Sequence, residues 1–72
     1  MNPPFKLGDL VTPVASMQAI AGWPKGSKSF WSGVPGLVVR VAEGGVDVFS
    51  CGEMHRHIKF GFVELFNNAN NN

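Results

Sequence analysis

Cys51, His55 and His57 are the residues whose types and spacing come nearest to chemistry in this chain. A thiolate and two imidazoles suit zinc or copper. The spacing Cys-x3-His-x-His is not that of a zinc finger, however, and a fourth ligand is missing unless Glu53 swings in. The trio therefore reads as a weak metal candidate on a solvated hairpin face, and neither a metal nor a cofactor is expected. Cys51 with His55 could also be written as a nucleophile and its base. That pair would need a depressed thiol pKa, an oxyanion hole and a cleft, none of which a hairpin on so small a chain supplies. No Ser-His-Asp set or paired carboxylates accompany it, so the chain is read as non-enzymatic.

A second group lies in Gly22–Gly33, Gly-Trp-Pro-Lys-Gly-Ser-Lys-Ser-Phe-Trp-Ser-Gly, which mixes three aromatics with two lysines and has no acid. Aromatics among lysines can stack bases and neutralise phosphates, and tryptophans equally anchor protein interfaces. The candidate partner-binding residues are Trp23, Lys25, Lys28, Phe30 and Trp31, joined by Arg40 and Phe49 from the neighbouring strands. The competing interpretation folds an aromatic back to plug the domain. Phe5, Phe60, Phe62 and Phe66 already claim a small core, so all three loop aromatics are not expected inside. Charge separates the two partner classes. A net charge of +1 is low for a phosphate binder, and Glu43, Asp47, Glu53 and Glu64 dilute the stripe Lys25, Lys28, Arg40, Arg56 and Lys59. A protein partner is favoured, with nucleic acid as the alternative.

The elements that must position these residues are strands. Leu37, Val39 and Val41 alternate with Val38, Arg40 and Ala42, and Val46, Val48 and Ser50 alternate with Asp47, Phe49 and Cys51. Glu43-Gly44-Gly45 supplies the turn between them. Ile58 and Phe60 alternate with His55, His57 and Lys59 in a third run. A three-residue loop, Gly52-Glu53-Met54, would set Cys51 opposite His55, Phe49 opposite His57 and Asp47 opposite Lys59. It would also bring Val48 opposite Ile58 and Val46 opposite Phe60 on the inner face. A two-residue loop would turn the histidines onto the valine face, at roughly 1–3 kcal/mol per unpaired group. The three-residue loop is therefore expected, with Phe49 and Val38 on the outer face, where they would extend the binding surface or mediate self-association.

Seventy-two residues, 44% hydrophobic and 15% charged, make one small globular domain with more apolar surface than a monomer of this size readily hides. The expected division is a flexible lead over 1–4, a β domain over 5–66 and a disordered Asn-rich tail over 67–72. A short strand around Leu10–Thr12 ends at Pro13, and a long loop runs from Ser16 to Gly33 with a helical turn near Met17–Ala21. No apolar run approaches the ~20 residues of a membrane helix. The start lacks a basic segment leading into an apolar one, so no secretion is expected, and a lone Cys51 suits a reducing cytoplasm.

The order Lys6, Gly8, Asp9, Val11, then a long loop, then Gly36, Val38, Val41, a hairpin and Val63-Glu64-Leu65, resembles Src-homology-3-like small barrels, including their KOW and Tudor-like branches. Over roughly Phe5 to Phe66 it also looks like short proteins of tailed bacteriophages. The resemblance implies an all-β fold, a single five-stranded, strongly bent antiparallel barrel with a long loop after its first strand. It also implies a binding face on Ser16–Gly33, Glu43–Gly45 and Gly52–Met54. The absence of tyrosine, and of any acid between Asp9 and Glu43, argues against proline-rich peptide ligands. The resemblance further implies an accessory protein, in the host cytoplasm or the virion, docking on another protein, with a KOW-like nucleic-acid binder as the alternative.

Overall fold

A computed structural model describes residues 2–24 and 26–66, so Lys25 and the Asn-rich tail fall outside it. The elements are β1 (Leu10–Pro13), α1 (Ala15–Ala21), β2 (Gly36–Ala42), β3 (Gly45–Ser50), β4 (Glu53–Lys59) and β5 (Val63–Leu65), with 3-10 turns at Phe30–Ser32 and Phe60–Phe62. The chain is mostly β. Its strands form one antiparallel sheet in the order β4-β3-β2-β1-β5, and among the described residues no ladder closes β4 onto β5. The helical turn expected at Met17–Ala21 is one end of α1, which begins at Ala15 and stops where Gly22 takes a left-handed φ of 63° and donates its amide to the Gln18 carbonyl.

The two hairpins hold the main departures from strict alternation. β3 and β4 join through a two-residue turn, Cys51-Gly52, with both residues at positive φ (53° and 78°), as a tight hairpin twist requires. Ser50 thus pairs with Glu53, Phe49 with Met54 and Val48 with His55. The three-residue loop and the register built on it are therefore wrong. The short turn does bring His55 onto the valine face. A bulge then places Arg56 and His57 together opposite Asp47, so that Ile58 pairs with Val46 and returns to the inside. A second bulge at Val39 lies between the pairs Val38–Val48 and Arg40–Asp47. It shifts the phase of β2 midway. Val38, expected on the outer face, is instead a core residue at 1% exposure.

The core is Phe5, Val11, Phe30, Val38, Val46, Val48, Ile58 and Val63, with Trp31, Val41 and Phe60 packed on its margin. Phe62 and Phe66, expected inside, are on the surface, and Phe30 from the loop takes the vacated volume. That choice constrains Gly36. A Cβ there would overlap Val48 Cγ1 and lie 3.1 Å from the Phe30 ring, so only glycine lets the strand pass beneath the phenylalanine.

Candidate functional site

The aromatic loop is held by its serines. The Ser29 amide donates to Ser32 Oγ at 3.1 Å, the Trp31 amide donates to Ser29 Oγ at 3.3 Å, and the Ser32 hydroxyl donates to the Ser29 carbonyl at 2.7 Å. This capping box fixes the turn that drives Phe30 into the core. Trp31 follows it to half-burial, its ring edge-on to Phe30 at 5.2 Å between centroids. The plug interpretation therefore holds for Phe30, which is not available to a partner. Trp23 remains 47% exposed. It lines a hollow of about 460 Å³ with Gln18, Ala19, Pro24, Ser27 and Ser32. Gln18 Nε2 donates to the Pro13 carbonyl at 2.8 Å and fastens this corner to β1. Lys28 is exposed beside it.

Arg40 and Phe49 lie elsewhere, on the sheet face that points away from the core. Register makes that face coherent. Met54 pairs with Phe49, Phe49 with Leu37, and Leu37 with Leu10. Phe66 completes the line, because its amide donates to the Leu10 carbonyl at 2.8 Å. The five side chains, each 41% to 48% exposed, form one apolar row across β4, β3, β2 and β1 and on to the residue that follows β5. Sequence reasoning placed only Phe49 here, since connecting the others needs the true register. Along one side of the row, Arg56 and Arg40 approach a single carboxylate, Asp47 Oδ2, at 3.6 and 4.0 Å. Asp47 is buried and also accepts the His57 amide at 2.7 Å. The sequence had Asp47 opposite Lys59, merely diluting positive charge. In fact it anchors the bulge and gathers two cations.

Cys51, His55 and His57 do not converge. Cys51 is exposed in the turn, His55 points inward and His57 lies outward on the bulge. Among the described residues no group of three or more His, Cys, Asp or Glu side chains is placed to hold a metal. No helix among them is long and apolar enough to cross a membrane.

No known family, curated protein or solved structure matches this chain.

Its own geometry must therefore speak for the site. The described surface carries an apolar row, guanidinium groups beside it and a half-exposed tryptophan on a separate corner. His55 belongs to the scaffold. Its ring lies tilted against Phe30 at 5.3 Å and edge-on to Trp31 at 6.2 Å between centroids, and its Nε2 is buried with no hydrogen-bond partner. Glu53 Oε1, at 3.9 Å, is too far to satisfy it. Replacing the imidazole by a phenyl ring removes the unsatisfied nitrogen and its desolvation penalty and keeps an aromatic ring against Phe30 and Trp31. His55→Phe is accordingly expected to stabilise the fold by about 1 kcal/mol, a rise in Tm of roughly 4–8 °C. Thermal melts followed by circular dichroism check this, and a lower Tm would overturn it.

Proposed function

We propose that this chain is a non-enzymatic binding module, a small Src-homology-3-like barrel that docks on another protein. The observation that carries the reading is the apolar row Met54–Phe49–Leu37–Leu10–Phe66. Scattered exposed hydrophobics are ordinary, but a contiguous line of large ones marks an interaction surface. It belongs to a wider imbalance: among the described residues eleven large hydrophobics are exposed against eight in the core. The barrel part of the reading is supported by how β2 is shared. β1 pairs with its first residues only, whereas β3 follows it to Ala42, so β2 passes from one half of the sheet to the other. The resemblance to tailed-phage proteins supplies the setting, a virion component or a modulator of a host factor.

A nucleic-acid partner has less support. Arg40 and Arg56 share one carboxylate, which leaves a single net positive charge at that point and not a basic stripe. Affinity capture with wild type, Trp23→Ala and Phe49→Thr as baits tests the reading. Both positions are exposed, so each variant should melt close to wild type. At least one should lose its protein partner by tenfold or more, about 1.4 kcal/mol. If both retain it, or if nuclease treatment releases everything captured, docking through apolar anchors is wrong.

A further inference from the structure

We infer that the outer face of the sheet takes a partner segment whose apolar side chains are bordered by carboxylates. The inference rests on the binding-module reading and commits that reading to one surface and one partner chemistry. The row crosses four strands and continues to Phe66 just past β5, and at ~4.8 Å between neighbouring chain segments it is roughly 19 Å long. Val48, Val38 and Val11, adjacent in sequence to Phe49, Leu37 and Leu10, are all buried to within 1%. The row is therefore fixed outward by the same alternation that builds the core, and it cannot fold inward without dismantling the core. Val39, extruded by its bulge, adds a further exposed apolar side chain on β2.

Charge identifies the occupant. Arg40 and Arg56 keep 64% and 75% of their side chains exposed while Asp47, between them, is only 5% exposed. One carboxylate facing two guanidinium groups leaves the cluster with one uncompensated positive charge. Asp47 also spends an oxygen on the His57 amide. Each guanidinium has five N–H donors, and at 3.6 and 4.0 Å neither is held in a close bidentate pair. The arginines are thus positioned by Asp47 yet retain donors directed to solvent, beside an apolar strip. Carboxylates on a partner would complete that arrangement.

A second copy of this chain is a poor occupant. Five half-exposed side chains present roughly 400 Å² of apolar surface, about half of what one side of a standard interface buries. Two copies face to face would also need acids opposite their arginines. Along the row the one buried acid, Asp47, is already shared between two arginines of its own chain.

The test titrates isotope-labelled chain with two amphipathic peptides carrying the same apolar residues, one bordered by glutamate and the other by lysine. The glutamate peptide should shift the amides of Leu10, Leu37, Phe49 and Met54, and the lysine peptide should bind at least tenfold more weakly. Phe49→Thr should reduce glutamate-peptide affinity at least tenfold while its spectrum stays dispersed. Equal binding of both peptides, or shifts confined to α1 and Trp23, would overturn the inference. So would light scattering that shows a dimer with the row protected from exchange. Capture lost on Trp23→Ala alone would keep the module reading and remove the row from it.

Discussion

Phe30→Ala is expected to remove a large share of the chain's stability. The ring is fully buried, against the β2 backbone at Gly36, and edge-on to Trp31. Truncating a phenylalanine in such a site costs about 3–5 kcal/mol, through lost transfer energy and the cavity left behind. A 72-residue domain has a total stability of only about 4–11 kcal/mol. The loss is therefore a large share of the total, and urea denaturation should show a midpoint lowered in proportion. Tryptophan fluorescence adds a local readout. Trp31 packs on Phe30 and should move to water with it, while Trp23 is half-exposed already. Phe30→Leu, which keeps most of the volume, should cost less than about 1.5 kcal/mol and retain the Trp31 signal. If Phe30→Ala melted within a few degrees of wild type, the loop aromatic would be free for a partner, as the sequence alone suggests.

That contrast shows where the sequence is legible. Alternation locates the central strands closely: Leu37–Ala42 against β2 at Gly36–Ala42, and Val46–Cys51 against β3 at Gly45–Ser50. Phe49 is outward, as its parity requires. What alternation cannot carry is a phase shift without a marker. Val39 and the Arg56–His57 pair are bulges without a glycine, so nothing in their side chains announces the extra residue. One bulge turns Val38 inward. The other reconciles a two-residue turn with an inward Ile58. The expectation that histidines stay off the valine face rested on the desolvation penalty, which is real, since His55 Nε2 is left unpartnered. The competing gain is aromatic, because His55 fills the space beside Phe30 and Trp31. The candidate site suffers most from this. The apolar row exists only in the true register, so four of its five members were invisible as a group.

Asp47 is where the register and the proposed binding face converge, and its removal should expose the dependence. Asp47→Ala is expected to cost about 1.5–3 kcal/mol, the range for a hydrogen bond to a charged group. Nearly all of that belongs to the His57 amide, accepted at 2.7 Å, because ion pairs to arginines as exposed as these contribute little. Asp47→Asn separates the two terms: its amide oxygen can still accept from His57, so it should retain most of the stability while the charge is lost. The alanine variant has a second consequence. The bulge amide would have no acceptor, and unbulged pairing of β4 would turn His57 inward and Ile58 outward. Loss of amide-exchange protection at Ile58, with Met54 and His55 near the turn still protected, would be the signature of that slip. Denaturant titrations of both variants with exchange at Ile58 make the test. An alanine variant as stable as the asparagine one, with Ile58 still protected, would mean the bulge is held by packing and Asp47 serves only the arginines beside the row.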